Sequence, residues 1–300
     1  MLTNLRGSRL DVPKDHFNKS SEESFSIPLI RLLAHNASAS GNKHVFLNPG
    51  GPGGSGVSYL LRAGENLNKI IGEGFNLLSF DPRGVNASIP QALCYVDSKR
   101  RAEGFAGNPW DINFQAGEMF TQAENMAKAC ADTTVDGAYI NTPQTASDMN
   151  SILDAIEQED MYYWGLSYGT ILGQTYAQMF PERVGKLAID GVANLDQWYN
   201  GIDHGEALID TDTIVAGFLE ECFKAKDNCA LNSINGITFS AATDLQTYFE
   251  DYMKKLEEEP IPVYINYTNY GAVTRRSIAM NGTFFNCVTR RETRGHQWSF

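Results

Sequence analysis

The sequence has 300 residues, 42% of them hydrophobic, enough to bury a sizeable core in one large α/β domain or two smaller ones. With 24 Lys and Arg against 36 Asp and Glu, the formal net charge of -12 argues against broad association with nucleic acid or an anionic membrane. No run approaches about 18 apolar residues, so no membrane-spanning helix is expected, and Met1 to Leu10 lacks the apolar centre of a signal peptide.

Cys94, Cys130, Cys222, Cys229 and Cys287, with Asn-x-Ser/Thr sequons at Asn18, Asn36, Asn86, Asn266 and Asn281, would suit a secreted glycoprotein, against the missing signal. Compartment therefore stays open. In chain order, Phe25 to Leu33 suits an edge strand, because Pro28 lacks a ladder donor. Lys43 to Leu47 is a short apolar run bounded by turn signals and reads as a core strand. Asn48-Pro49-Gly50-Gly51-Pro52-Gly53-Gly54-Ser55-Gly56 follows, directly before a helix expected over Val57 to Ile71. Such a loop brings bare backbone close to a ligand. A nucleotide site is the competing reading, but no Gly-Lys-Ser/Thr follows and the dinucleotide spacing does not fit, although Asp81 sits where an acidic residue would be wanted.

Phe75 to Phe80 is the next strand, and Asp81 and Arg83 in the turn behind it suit bracing of neighbouring loops by charge-assisted hydrogen bonds. Between Cys94 and Cys130 lies a loop-rich insertion with a helical second half, and a disulfide between them is one pairing among several. Ser147 to Glu157 spaces Met149, Ile152, Leu153 and Ile156 to pack a helix on a sheet. Tyr162 to Leu166 then forms a buried strand that turns at Ser167 into a helix over Thr170 to Phe180. Gly165 and Gly169 flank Ser167 at the GxSxG spacing, where a strained strand-to-helix turn has no room for β-carbons and exposes the serine hydroxyl. Arg183 to Gly191 adds another parallel strand, completing an alternating β-α-β-α series.

NPGGPGGSG at 48 to 56, FDPRG at 80 to 84, YYWGLSYGT at 162 to 170 and FPERVGKLAIDGVANLDQW at 180 to 198 together resemble the tripeptidyl and prolyl aminopeptidase branch of the α/β-hydrolases, serine exopeptidases, in the form common in fungi. The resemblance covers roughly residues 9 to 230, with PIPVY at 260 to 264 and YGAVTRRSI at 270 to 278 similar to the cap region. It implies an α/β-hydrolase fold, a mostly parallel sheet with helices on both faces, over residues 1 to 200, and the start of a helical cap over 201 to 300. It implies Ser167 as nucleophile, with the backbone N–H groups of Gly51 and Tyr168 as oxyanion donors. The substrate is then a small peptide, ester or amide, with no cofactor and no metal. Parent proteins are usually secreted.

In this fold the acid and the histidine follow the nucleophile in chain order. Only His204 and His296 lie downstream of Ser167, the first too early, the second in a polar tail with no strand before it. From about Phe285 that tail departs from the family pattern, so the chain is expected to be C-terminally truncated and catalytically incomplete. The alternative is a non-catalytic derivative that binds a peptide or protein partner. Leu208 to Leu256 reads as helical and acidic, a mostly solvated face, with Glu220 or Glu221 as candidates for reading a peptide α-amino group. Cys222 and Cys229 could close a small loop.

Overall fold

The computed structural model describes residues 4–18, 22–36, 42–97, 99–101, 112–201, 209–234, 236–265 and 269–273. The chain falls into two compact units, Met1–Ile202 and Asp203–Phe300.

The first unit opens with two long antiparallel strands, β1 (Leu5–Pro13) and β2 (Ser24–Leu32). β3 (His44–Asn48), α1 (Gly56–Ile71) and β4 (Asn76–Phe80) form a parallel β-α-β unit, with every residue of β3 and β4 buried. After α2 (Ile112–Thr133) and α3 (Thr142–Ala155), β5 (Met161–Leu166), α4 (Tyr168–Met179) and β6 (Val184–Asp190) repeat that unit on the other side of β3, and α5 (Leu195–Asn200) follows. The sheet order is β1-β2-β4-β3-β5-β6. Because strand side chains alternate, each face has its own core. Phe25, Ile27, Phe46, Leu78, Met161 and Tyr163 meet Met149 and Ile152 of α3 and Leu172 and Tyr176 of α4, whereas Ile30, Leu32, Val45, Leu47 and Leu77 meet Leu60 and Leu67 of α1.

Two expectations shift. β2 is not the edge: β1 covers one side of it and β4 the other. Pro28 is tolerated because pairing with β4 begins only at Leu29, and the Pro28 carbonyl, pointing to the same side as its donorless nitrogen, accepts from Asp81 N at 3.2 Å. The helix expected from Ser147 begins at Thr142, where the Asn141 side chain accepts from Gln144 N at 3.0 Å and Pro143 occupies the first turn.

In the second unit, α6 (Thr211–Ala225), the two-stranded β7 (Ser233–Ile234) and β8 (Ile237–Thr238), α7 (Ala242–Glu258), and the hairpin β9 (Ile261–Ile265) with β10 (Asn269–Val273) follow in order. The helical, acidic stretch expected here contains the two helices α6 and α7, packed through Leu219, Cys222, Cys229 and Leu245. Glu220 and Glu221 are exposed and both pair with Lys224 at 2.9 Å, which is a solvated helix face.

Disulfides join Cys94 to Cys130 and Cys222 to Cys229. Chain-entropy arguments give about 4 kcal/mol for the 36-residue separation and about 2.5 kcal/mol for the 7-residue one. Breaking Cys94–Cys130 with a Cys94→Ser, Cys130→Ser double variant is therefore expected to lower the denaturation midpoint more than the matching Cys222, Cys229 pair of changes. Equal midpoint shifts in urea titrations would contradict this ordering.

Candidate active site

The elbow is built by three elements that meet around Ser167. β5 delivers the chain into the turn, and Ser167 adopts φ 55 and ψ -120 before α4 begins at Tyr168. Non-glycine residues rarely occupy that half of the backbone map, so the surroundings must hold it there, at a cost of about 1–3 kcal/mol. Ser167 N donates to Asp190 O at 2.9 Å, tying the turn to the end of β6, and Thr170 N returns to Ser167 O at 2.8 Å. The Ser167 side chain stays exposed.

The glycines at two residues to either side are there for space. A β-carbon on Gly165 would overlap the Gly169 carbonyl oxygen, and one on Gly169 would lie 2.9 Å from Asn48 O. Tyr163, two residues earlier on the same face of β5, locks this arrangement. Its buried hydroxyl donates to Gly169 O at 2.7 Å, and its ring lies where side chains at Gly165 and Gly173 would otherwise stand. Burial holds the Tyr163 hydroxyl well above the usual tyrosine range, so it remains a donor throughout the working pH range. Tyr163→Phe is expected to cost about 1–2 kcal/mol in urea denaturation, because the hydroxyl's bond is lost inside the core. A loss under 0.5 kcal/mol would show that Gly169 O needs no such partner.

The glycine-rich loop lies directly against the elbow. Gly50, at φ 85, has its Cα so near the turn that a β-carbon would sit 2.9 Å from Tyr168 N and 3.0 Å from Ser167 Cβ. Buried Asn48, the last residue of β3, accepts from Gly50 N through Oδ1 at 2.9 Å and fixes the loop's first bend. Gly51 follows at φ 123, where a β-carbon would be 2.9 Å from the nitrogens of Gly53 and Gly54. Among the described residues, neither Gly51 N nor Tyr168 N donates a backbone hydrogen bond. Tyr168 N is the first amide of α4, one of the donors a helix leaves unpaired. The Tyr168 side chain is anchored by a 2.9 Å contact between its hydroxyl and Thr142 Oγ1 and by the Trp198 ring 5.5 Å away, and burial raises its pKa.

Behind the loop, buried Asp81 accepts from Ser55 Oγ at 2.6 Å, Val57 N at 3.1 Å and Asn86 Nδ2 at 2.7 Å, and Ser55 Oγ in turn accepts from Ser58 N to cap α1. Asp81 therefore fastens the far end of the glycine loop rather than a nucleotide ribose. The Asn86 amide of that sequon is engaged in the same network.

No histidine among the described residues is hydrogen-bonded to Ser167. His16 contacts Asp148 at 2.8 Å, His35 contacts Glu65 at 3.1 Å, and His44 contacts Arg31 at 3.2 Å. His44 begins β3, at the opposite end from Asn48, and burial with the Arg31 charge lowers its pKa. His204 and His296 lie outside the described residues. The described residues contain no cluster of three or more His, Cys, Asp or Glu that could hold a metal, and no helix long and apolar enough to cross a membrane. Sequence reasoning missed Asn48 and Tyr163. Their signals were a polar residue closing an otherwise apolar strand and an aromatic two residues before the first glycine of GxSxG.

Comparison with known proteins agrees with this geometry. Serine protease Hip1 of Mycobacterium tuberculosis (strain ATCC 25618 / H37Rv) is 32% identical over 197 residues, covering 62% of this chain and 35% of that protein. The tripeptidyl aminopeptidase of Streptomyces lividans is 31% identical over 185 residues, covering 58% of this chain and 32% of that protein. A putative hydrolase, YuaR, of Escherichia coli (strain K12) is 27% identical over 177 residues, 57% of this chain and 32% of that protein. The chain spans about a third of the length of these relatives. The model of the alpha/beta hydrolase fold family matches residues 43–226, which take in the glycine loop, the elbow and the strands that carry them, and the chain belongs to that family.

Proposed function

We propose that the chain carries the nucleophile half of a serine hydrolase that cleaves short peptides from their amino end, with small esters and amides as accessory substrates. The observation that carries this reading is the exposed Ser167 at φ 55, on a turn whose neighbouring amides, Tyr168 N and Gly51 N, are free to donate. In the reaction, Ser167 Oγ attacks the scissile carbonyl carbon while its proton passes to a general base. The carbonyl oxygen becomes an oxyanion, stabilised by the two amides, and the C–N bond breaks as the amine takes the proton. Water then attacks the acyl-enzyme and releases the acid. The base and its acid partner come from polypeptide outside the described residues, since the three described histidines are engaged elsewhere. The preference for peptides rests on the likeness to a serine protease and a tripeptidyl aminopeptidase, and the fungal assignment on the motif resemblance alone.

The test is covalent labelling of the native protein with a biotinylated fluorophosphonate, followed by digestion and peptide mapping. The adduct is expected on Ser167, and Ser167→Ala is expected to remove it. An adduct elsewhere, or none on a folded protein that also turns over no tripeptidyl anilide, would overturn the assignment in favour of a non-catalytic peptide binder.

A further inference from the structure

β3 ends on a residue that the packing of the sheet does not demand. His44 to Asn48 are all buried, and side-chain alternation puts Asn48 on the face of Phe46, toward α3 and α4. A carboxamide withdrawn from water at that place is costly unless it is hydrogen-bonded.

Its bond goes to the glycine loop, since Asn48 Oδ1 accepts from the buried Gly50 N at 2.9 Å. On its other side the residue stands against the elbow. Asn48 pairs in register with Gly165 of β5, and a β-carbon on Gly169 would come within 3.0 Å of Asn48 Oδ1. One carboxamide oxygen thus holds the loop that carries Gly51 N and borders the first turn of α4, which carries Tyr168 N.

The two amides belong to segments far apart in the sequence, and an oxyanion hole needs both donors at about 2.7–3.1 Å from one oxygen position. Packing of bare backbone sets how near the loop comes, because a β-carbon on Gly50 would already lie 2.2 Å from Leu166 O. It does not set the direction in which Gly51 N points. Gly50 at φ 85 and Gly51 at φ 123 are glycines with wide conformational freedom, so the peptide between them must be held from outside. It is held at both ends of Gly50: Asn48 Oδ1 takes the N–H, and Gly54 N donates to the carbonyl oxygen at 3.0 Å. That carbonyl belongs to the same peptide plane as Gly51 N, so fixing Gly50 aims the Gly51 amide.

We propose that Asn48 is the positioning residue of the oxyanion hole, orienting the Gly50–Gly51 peptide so that Gly51 N and Tyr168 N converge on one oxygen. Asn48 meets no reacting atom and acts through Gly51 N. The role rests on the serine-hydrolase reading above.

Leu and Asp share the shape of Asn, one without an acceptor for Gly50 N and one with it, and the native protein carrying each is the test. Turnover of a tripeptidyl anilide is expressed per Ser167 site labelled by the fluorophosphonate, so that unfolded protein drops out. Asn48→Leu is expected to lower kcat per labelled site about 10²-fold with KM within about twofold, because the donor it misplaces serves the transition state. Asn48→Asp is expected to regain at least about tenfold of that loss through the restored acceptor, its charge near the developing oxyanion keeping it below the parent. In a Gly51→Ala background, Asn48→Leu is expected to add less than about threefold, since both changes displace the same amide. Parental kcat in Asn48→Leu, an Asp variant no better than the Leu one, a loss confined to KM, or losses that multiply with Gly51→Ala would each overturn the proposal. A parent that neither takes the label nor turns over substrate overturns the hydrolase reading, and the role of Asn48 falls with it. A labelled, active parent with unaffected Asn48 variants overturns the role of Asn48 alone. If Asn48→Leu fails to fold, Asn48→Ala takes its place with the same expectations.

Discussion

Ser167→Ala in the native protein is expected to lower kcat/KM toward a tripeptidyl anilide by roughly 10⁴ to 10⁶, with a residue of about 10³ to 10⁴ over the uncatalysed rate. The range follows from how a nucleophile and its base act as a unit. When both work, removing either costs nearly as much as removing both, and what survives is oxyanion stabilisation and binding. The same logic locates the missing base. His204→Ala and His296→Ala, made separately, are expected to show whether either shares the loss, and the one that does should add nothing in a Ser167→Ala background. If neither matters while Ser167→Ala does, the base is supplied by polypeptide beyond these two candidates. Gly51→Ala offers a check on the other side of the site. Gly51 stands at φ 123 with Gly53 N and Gly54 N 2.9 Å from a would-be β-carbon, so the substitution must move the loop and its amide. Loss of one oxyanion donor is worth about 10² to 10³ in kcat, well short of the serine itself. A Ser167→Ala protein with an unchanged rate would place the chemistry elsewhere.

The elbow was legible in the sequence because its requirements are local. GxSxG between an apolar strand and an amphipathic helix leaves one geometry, and the structure has Ser167 at φ 55 with glycines where β-carbons would collide. The alternating β-α pattern was equally readable, since β3, β4 and β5 are short apolar runs with turn signals at their ends. One failure depended on a partner far along the chain and another on a local signal. Whether Pro28 lies on an edge depends on where the pairing with β4 stops, at Leu29, and nothing near Pro28 encodes that. The start of α3 was carried by Asn141 and Pro143, a local signal overlooked because the apolar spacing begins only at Met149. Within the helical stretch expected over Leu208 to Leu256, α6 stops at Ala225 with Lys226 at φ 50, and the Cys222–Cys229 disulfide closes the small loop that the cysteine spacing allowed. The tail from about Phe285 lies outside the described residues.

The second large effect is expected at Asp148, where Asp148→Asn or Asp148→Ala should destabilise the first unit by about 3–5 kcal/mol. Arg83 and Asp148 are essentially inaccessible to water, and the guanidinium grips the carboxylate through Nε at 2.6 Å and Nη2 at 2.7 Å. The remaining donors hold the chain leaving β1, at Pro13 O and Lys14 O, both at 2.6 Å, while the ring of Phe25 lies 4.8 Å beneath. Removing the carboxylate leaves a buried cation with its largest partner gone, which costs more than the pair contributed over a hydrophobic replacement. Two residues before Arg83, Asp81 fastens Ser55 and the start of α1, so the same turn that anchors to α3 also positions the glycine loop. Lost activity in Asp148→Asn should therefore accompany lost stability and return when the protein is stabilised by lower temperature, whereas Ser167→Ala stays inactive in a fully folded protein. The decisive comparison is the double variant Arg83→Met, Asp148→Leu, which removes both charges together and should recover part of the loss, the carbonyls of Pro13 and Lys14 and the His16 ring being left without their partners. Urea denaturation of the two single variants and the double one measures this coupling. Single variants within about 1 kcal/mol of the parent, or a double variant as unstable as their sum, would mean that the pair acts as two independent residues.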